Sequence, residues 1–276
     1  MNSLKQPIRY GDISFHYVKD IVSPDFFQNS PHSHDHCEIF IHEKGQFNIF
    51  VENTIYNHNS KEIRVYAPNE LHFGKCESNQ EMEWYQISIS KSFFDQHSAL
   101  GEIIFNRGRG THNVFTSKKH AEISSLAAEI IEKKKQNSPL LENYFLGNII
   151  RILCILNEKS NNTDIGTNQN KSLQEIIKLI DDNYLNIYTS QDLYKLTHFS
   201  VSYVHRLFKD YLNTTPHQFI TIKKLNKACE LLTSGATVST ACFHSGFNNY
   251  SNFITLFRKT YNQTPNAYKR EHASAV

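Results

Sequence analysis

The stretch GATVSTACFHSGFNNYSNFITLFRKTYNQTPNAYKR, residues 235–270, has a counterpart 49 residues earlier in the chain. Residues 204–209 align with residues 253–258, so that a Leu-Phe-basic triplet recurs in register. An Asn-x-Thr-Pro motif recurs at the same offset, at positions 213 and 262. Such self-similarity indicates one supersecondary unit that is used twice.

The first copy has the parts of a helix-turn-helix. SQDLYKLTHF, residues 190–199, predicts a short helix, and Ser200 is a suitable cap for a second helix over about 201–211. That second helix places Val204, Leu207 and Phe208 on one face at helical spacing. We expect this apolar face to be buried and the opposite face to be exposed.

The second copy follows the same plan, with a turn at Gly246 and either Asn248 or Asn249 as the cap of its second helix. Between the copies, Thr215 and Pro216 suit the start of a helix that continues to about Thr233. A rigid connecting helix would let two recognition helices enter successive major grooves, about 34 Å apart. The alternative is a helical bundle that binds no ligand.

Residues 171–276 carry 12 Lys+Arg against 7 Asp+Glu, a net charge of +5, whereas residues 1–170 carry a net charge of −3. A basic segment favours a polyanionic partner. Together with the polar faces and the paired caps, this balance favours double-stranded DNA over a bundle without a ligand.

The repeat closely resembles the signature of AraC/XylS-type transcription regulators, over about the last hundred residues. The resemblance implies promoter recognition, a homodimer, contact with RNA polymerase and, most often, activation. Tyr194 stands where a small residue is usual, and Ala241-Cys242 replaces the usual Ile-Ala. By position, the resemblance and the helical pattern assign DNA contacts to Ser202, His205, Arg206, Lys209, Ser251, Asn252, Thr255 and Arg258.

Arg206 is the best candidate for direct base readout, because a guanidinium can bond bidentately to guanine, which contributes about 1–3 kcal/mol of discrimination. Lys209 and Arg258 lie one turn further along, where phosphate positioning or solvent exposure is as plausible as a base contact. Thr255 is short where some relatives carry arginine, so the second helix is expected to read fewer bases.

Residues 8–90 contain short alternating runs rich in Val, Ile, Tyr and Phe, which predict an antiparallel sandwich or barrel. Residues 118–136 and 140–159 predict two helices, and the second is apolar on more than one face. Such a helix packs inside its own domain or forms a dimer interface. Residues 160–170 are polar and predict a linker.

The fold class predicted is therefore α+β with two domains. Residues 1–159 form a cupin-like domain for effector binding and dimerisation, with a β-barrel over about 8–90 and helices over about 92–159. After the linker at 160–170, residues 171–276 form an all-α tandem helix-turn-helix domain.

PHSHDHCEIF, residues 31–40, places histidines and a glutamate at every second position. On a strand these side chains would share one face, although a bulge could displace His36. The spacing His32-x-His34-x3-Glu38-x6-Gly resembles the first cupin motif, and His72 resembles a shortened second one. The resemblance implies a site that holds a divalent metal, such as Zn, Mn, Fe or Ni, or a metal-free polar pocket. The remaining alternative is a structural cluster of histidines at the mouth of the barrel.

The effector-binding residues predicted are His32, His34, Glu38, His72 and Trp84, and the first four are also the candidate metal ligands. Aromatic walls suit a sugar-like ligand; further candidates for such walls are Tyr10, Phe15, Tyr17, Tyr56, Tyr66 and Tyr85.

An effector-responsive activator is the favoured function, and no enzymatic activity is expected. The alternatives are a metal-dependent cupin enzyme fused to a DNA-binding domain, and a metal or redox sensor that uses Cys37 and Cys76. Five scattered cysteines, the absence of a membrane-length apolar run and the absence of an apolar segment near the N-terminus predict a cytoplasmic protein.

Overall fold

The computed structural model describes residues 6–23, 31–58, 61–158, 162–164 and 170–272. These residues separate into two compact units. The first takes its described residues from Met1–Gln28 and His34–Asn168, and the second from Asn29–Ser33 and Gln169–Val276. No helix among the described residues is long and apolar enough to cross a membrane.

The first unit is built on two antiparallel sheets. One has seven strands in the order β1-β2-β8-β3-β6-β9-β10, and the other has three in the order β5-β4-β7. The strands are β1 (Ile8–Tyr10), β2 (Ile13–Val22), β3 (Cys37–Lys44), β4 (Phe47–Val51), β5 (Thr54–His58), β6 (Ile63–Tyr66), β7 (His72–Lys75), β8 (Gln80–Ile89), β9 (Val114–Ser117) and β10 (Asn162–Asp164).

The predicted cupin-like antiparallel domain is confirmed, with the correction that its described strands form two separate sheets and not a closed barrel. The chain leaves the larger sheet between β3 and β4, where the pairing of β3 with β8 shifts between His42 and Lys44. Gly45 follows with a φ of +107°, and a Cβ there would lie 2.7 Å from Cγ of Met82. This glycine turn directs β4 into the smaller sheet, where it pairs with β5 and β7.

The larger sheet buries both of its faces. On one face, residues such as Phe15, Ile39 and Ile87 pack against the helices of this unit. On the other, residues such as Val18, Tyr66 and Trp84 form a core with side chains of the smaller sheet. The interior between the two sheets is where the polar side chains of the candidate effector site lie.

The helices of the first unit confirm the sequence pattern. α3 and α4 match the helices predicted at 118–136 and 140–159, and α4 buries residues on several sides, as expected. The bounds in this unit are α1 (Lys91–Gln96), α2 (Glu102–Phe105), α3 (His120–Lys135) and α4 (Leu141–Asn157), with a 3-10 helix at Ser98–Gly101.

The predicted linker, residues 160–170, contains a structured segment that the sequence did not indicate. Residues 162–164 form β10, which pairs with β9 at the edge of the larger sheet. Backbone hydrogen bonding along an open sheet edge needs no apolar side chains, so the polar composition gave no signal for this strand. Residues 160–161 and 165–169 lie outside the described residues.

The second unit is all helical, as predicted. Its helices are α5 (Lys171–Asn183), α6 (Ser190–Leu196), α7 (Val201–Leu212), α8 (Pro216–Thr233), α9 (Val238–His244), α10 (Tyr250–Tyr261) and α11 (Pro265–His272), with a 3-10 helix at Tyr184–Asn186. Ser200, Thr215 and Asn249 cap α7, α8 and α10. Of the two caps considered for α10, Asn249 is the one used.

The two copies of the repeat also pack alike. The rings of Phe208 and Phe219 meet edge to face at a centroid distance of 5.4 Å. At the equivalent positions of the second copy, Phe257 and Tyr268 meet edge to face at 5.6 Å. The self-similarity of the sequence therefore reflects a repeated tertiary contact.

Candidate nucleic-acid interface and effector site

The second helix of each repeat, α7 or α10, has one buried and one exposed face. Val204, Leu207 and Phe208 are buried in α7, and Phe253 and Phe257 are buried in α10. The opposite faces are exposed and carry all of the predicted DNA-contacting residues, which are Ser202, His205, Arg206, Lys209, Ser251, Asn252, Thr255 and Arg258.

Local contacts order several of the side chains on α7. Nε2 of His205 lies 2.6 Å from the hydroxyl of Tyr194 on α6. Cζ of Arg206 lies 5.3 Å from the ring centroid of Tyr203, and Nζ of Lys209 donates to Oδ1 of Asn213 at 2.9 Å. None of these contacts neutralises Arg206 or Lys209, so both cations can meet a polyanion.

On α10, the hydroxyl of Thr255 donates to the backbone carbonyl of Ser251 at 3.0 Å. This bond uses the only donor of the Thr255 side chain within its own helix. Ser251, Asn252 and Arg258 are exposed beside it. That α10 reads fewer bases than α7 stays a prediction.

A buried lysine ties the connecting helix α8 to both repeats. Nζ of Lys224 donates to the carbonyl of Ile187, before α6, at 2.8 Å and to the carbonyl of Gly246, between α9 and α10, at 2.7 Å. Burial lowers the pKa of this ammonium group to about 8. Sequence reasoning missed Lys224, because a lysine within a polar helix gives no sign that it points inward.

In the first unit, three predicted residues converge between the sheets. Nε2 of His34 lies 3.0 Å from Oε2 of Glu38, and Nε2 of His72 lies 3.6 Å from the same oxygen. One ligand atom from each residue falls within 4.8 Å of the others. His34, Glu38 and His72 therefore form a cluster of two imidazoles and one carboxylate, which we call the histidine–glutamate cluster.

His34 is held at both ring nitrogens. Nδ1 lies 2.8 Å from the carbonyl oxygen of His36, and a carbonyl only accepts, so Nδ1 carries the hydrogen. The neutral ring then turns the lone pair of Nε2 towards the carboxylate of Glu38. His72 repeats the arrangement, since its Nδ1 lies 2.9 Å from the carbonyl oxygen of Glu70.

Nε2 of His34 and the carboxylate of Glu38 are then both hydrogen-bond acceptors, and the charges of the two residues do not relieve this conflict. Burial lowers the pKa of His34, which Glu38 only partly offsets, so the imidazolium form is disfavoured. Burial raises the pKa of Glu38, but the neighbouring rings of His34, His36 and His72 outweigh burial and hold this pKa well below the ordinary value. A carboxylate that faces imidazole lone pairs is the donor set of a divalent cation, and carbonyl-bound Nδ1 atoms are usual in metal-ligating histidines.

Two members of the predicted set lie elsewhere. His32 is exposed and groups with the second compact unit, so it lies outside the histidine–glutamate cluster. Trp84 is buried opposite His42 on the neighbouring strand β3, further along the sheet from Glu38. The prediction that these histidines share a strand face with Glu38 is wrong, because β3 begins only at Cys37 and the histidines precede it in an irregular segment.

His36 and Gln86 complete the surroundings of Glu38. Nε2 of His36 lies 3.5 Å from Oε1 of Glu38, and Nε2 of Gln86 donates to that oxygen at 2.7 Å. The ring of His36 stacks on that of His34 at a centroid distance of 3.9 Å. Gln86 was missed because its contact spans 48 residues and depends on the pairing of β3 with β8.

A buried ion pair holds the segment that carries His72. Glu70 accepts from Nη2 of Arg107 at 2.6 Å and from the amide nitrogens of Ala67 and Gly110. Burial raises the pKa of Glu70, but Arg107 and these amides lower it overall. Because the carbonyl of Glu70 orients the ring of His72, the ion pair positions the histidine–glutamate cluster.

The candidate aromatic walls divide between the two faces of the larger sheet. Tyr10, Phe15, Tyr17 and Tyr85 pack on the helical side. Tyr56, Tyr66 and Trp84 lie between the sheets. Only this second group can line a ligand site between the sheets.

Two family models match the chain. Residues 24–145 match the AraC-like ligand binding domain, and residues 193–271 match a helix-turn-helix domain. The exposed recognition faces belong to the second match, and the histidine–glutamate cluster belongs to the first.

Similar proteins include the HTH-type transcriptional activator RhaS of Klebsiella pneumoniae, 26% identical over 114 residues, which are 41% of each chain. The uncharacterized HTH-type transcriptional regulator YdeC of Bacillus subtilis is 30% identical over 36% of this chain and 34% of its own. The matched segments thus span less than half of these relatives. The structure of ToxT from Vibrio cholerae aligns over 96% of this chain at 14% identity, with a TM-score of 0.41. An AraC-like ligand binding domain and a helix-turn-helix domain are thus matched along one chain, which is the domain composition of an AraC-type regulator.

Proposed function

We propose that this protein is a sequence-specific DNA-binding transcription regulator that acts as an activator. The observation that carries the proposal is the pair of equivalent helices, α7 and α10, which each present an exposed polar face. The curated relatives that match this part of the chain include a protein named as a transcriptional activator. We propose that the protein acts by binding rather than by catalysis, because the relatives that match its helical repeat are named as a transcriptional activator and a transcriptional regulator.

The proposed contacts divide into two classes. Ser202, His205 and Arg206 on α7 and Ser251 and Asn252 on α10 read base edges. Lys209 on α7 and Arg258 on α10 are cations and contact phosphates. Thr255 completes the exposed face of α10. Phosphate contacts give affinity without sequence preference, whereas base contacts discriminate.

The proposal is tested by selecting binding sites from a random DNA pool with the full-length protein. Two short preferred segments about one helical turn apart are expected, with affinity that falls steeply as salt rises, because each phosphate contact releases counterions. A selection that returns no preferred sequence, or an affinity that does not change between low and moderate salt, would contradict the proposal.

We further propose that the first unit binds a small-molecule effector between its two sheets. His34, Glu38 and His72 supply polar contacts, and Tyr56, Tyr66 and Trp84 supply aromatic surface, which suits a sugar-like skeleton. His32 remains a candidate contact by sequence only, because it lies outside the cluster.

The histidine–glutamate cluster is proposed to hold a divalent metal. The donor set fits, because each imidazole has its Nδ1 on a carbonyl oxygen and its Nε2 directed at the carboxylate. A bound ion would leave coordination positions for an oxygen of the effector. A metal-free polar pocket is the competing account, and elemental analysis separates the two.

A homodimer is proposed through the outer face of α4, where Gly147, Ile150 and Cys154 are exposed along one stripe. Sedimentation of the wild type as a dimer and of Ile150→Glu as a monomer would support it. If the protein activates transcription, RNA polymerase is a further proposed partner. The proposed location is the cytoplasm.

A further inference from the structure

Arg64 is a buried cation in the interior between the sheets. It lies on β6 and is only 5% exposed. In the pairing of β6 with β3, Arg64 is opposite Phe40, and Tyr66, on the same face of β6, is opposite Glu38. Arg64 is thus a diagonal neighbour of Glu38 on the face that carries the histidine–glutamate cluster.

The contacts of Arg64 are aromatic rather than ionic. Cζ lies 4.4 Å from the ring centroid of Phe40 and 4.4 Å from that of Phe47. Nε is buried without a hydrogen-bond partner. Among the residues that the structure describes, no carboxylate lies within ion-pair distance of this guanidinium group, although Glu38 acts on it from further away.

Arg107 shows how the same domain pairs a buried guanidinium with a carboxylate. Its Nε also lacks a hydrogen-bond partner, but Nη1 and Nη2 both donate to the carboxylate of Glu70 and to the backbone carbonyls of Thr111 and Val65. Glu38 does not play this part for Arg64, because its oxygens already face His34 and Gln86. A buried charge without a counter-ion is strongly unfavourable, so Arg64 is suited to an anion that the described part of the chain does not supply.

We infer that Arg64 is the carboxylate subsite of the effector pocket, so that the effector is a small carboxylate rather than a neutral molecule. This inference rests on the proposed effector function of the first unit. Because Cζ lies over two aromatic rings, the guanidinium group forms hydrogen bonds through the N–H groups at the edge of its plane. Those N–H groups pair best with the two coplanar oxygens of a carboxylate.

The subsite borders the histidine–glutamate cluster through one side chain. The ring of Tyr66 stacks on that of His72 at a centroid distance of 4.1 Å and an interplanar angle of 8°. Tyr66 is also the next residue after Arg64 on the same face of β6. An effector with a carboxylate at one end and a second oxygen near it would contact Arg64 through the carboxylate and the histidine–glutamate cluster through the second oxygen.

The test uses formate, the smallest carboxylate, as the probe, and follows thermal unfolding of the full-length protein while formate replaces chloride at constant ionic strength. Formate should raise the unfolding midpoint of the wild type and leave Arg64→Met unaffected. Without formate, Arg64→Met should unfold at or above the wild-type midpoint, because it removes an unpaired buried charge. Arg9→Met, at an exposed position of β1, should respond to formate as the wild type does.

Two results would overturn the inference. One is an equal formate response in the wild type and Arg64→Met; the other is a lower midpoint of Arg64→Met in chloride, which would assign Arg64 a structural role. Should Arg64→Met fail to fold, Arg64→Lys decides the matter. It keeps the charge but not the planar edge, so half-saturation should need at least about tenfold more formate. An unchanged formate requirement would reject the subsite.

Two further measurements distinguish formate binding at Arg64 from binding to a metal ion and from the DNA-binding function. His34→Ala should retain the formate response, and its loss there would place the anion on a metal instead of on Arg64. DNA affinity is measured on the same preparations. Absence of DNA binding with an intact formate response would reject the proposed regulator alone, and the reverse pattern would reject the subsite alone.

Discussion

Nε2 of His34 lies 3.0 Å from Oε2 of Glu38, while Nδ1 of the same ring lies 2.8 Å from the carbonyl oxygen of His36. No neutral tautomer satisfies both contacts, because an imidazole carries one hydrogen and both neighbours are acceptors. Protonating the ring would satisfy both, but burial disfavours that form. The proposed metal ion beside Nε2 would resolve the conflict without a proton.

The first prediction concerns metal content. Purified full-length protein should contain close to one divalent metal ion per chain by elemental analysis, and a His34→Ala, Glu38→Ala double variant should contain none. His198→Ala, at an exposed histidine of the second unit, is the matched control and should keep the metal. Metal-free wild type would leave the cluster as the polar lining of an effector pocket.

A second prediction concerns Tyr194, whose hydroxyl lies 2.6 Å from Nε2 of His205. Tyr194→Phe should weaken binding to a selected site by about 0.5–1.5 kcal/mol, because His205 loses the bond that orients it towards DNA. Fluorescence anisotropy with labelled duplexes measures the loss. In a double-mutant cycle, Tyr194→Phe should have no further effect in a His205→Ala background; additive effects would show that the two residues act independently.

The third prediction is a pH dependence of stability. Burial, together with the nearby charge of Arg64, lowers the pKa of His42 from its ordinary value of 6.5 to about 3. Between these values the unfolded chain binds the extra proton, so His42 makes stability fall as pH falls, by up to about 1.4 kcal/mol per pH unit. Denaturant titrations between pH 4 and 7 should show a shallower slope in His42→Gln than in the wild type and in His198→Gln. Equal slopes in the three proteins would show that His42 is not the source of this pH dependence.

A fourth prediction compares two glycines of the second unit. Gly246 has a φ of +87°, and a Cβ there would lie 2.6 Å from the carbonyl oxygen of Leu185. Gly235 has a similar φ of +95° but nothing within 4 Å of such a Cβ. Gly235→Ala should lower the free energy of unfolding by about 1 kcal/mol through backbone strain, and Gly246→Ala by clearly more than that, because the clash is added. Equal losses in denaturant unfolding would contradict the packing of this turn.

The repeat made the second unit predictable from sequence. Capping residues, the start of α8 at Pro216 and the inward faces of α7 and α10 are local signals, and local signals fix helices. The contact between Phe208 and Phe219 recurs between Phe257 and Tyr268 because both copies keep the same spacing. Lys224 escaped notice because its partners, Ile187 and Gly246, depend on how the helices pack.

The first unit was less predictable, since its contacts join residues far apart in the chain. Two-residue alternation suggested that His32, His34 and Glu38 share a strand face, but the strand starts only at Cys37. Whether strands close into a barrel or form two sheets depends on pairing that local pattern does not encode. Arg64 gave no signal at all, because its lack of a carboxylate partner is visible only once the sheets are packed.

Arg206 is the residue that we expect to read a base pair directly. The most direct test is the affinity of wild type and Arg206→Ala for a site selected by the wild type, with Arg270→Ala on α11 as an exposed control. Arg206→Ala should bind about tenfold or more weakly and lose its preference at one base pair, while non-specific binding and the fold persist. An Arg206→Ala affinity and base preference equal to those of the wild type would contradict the account.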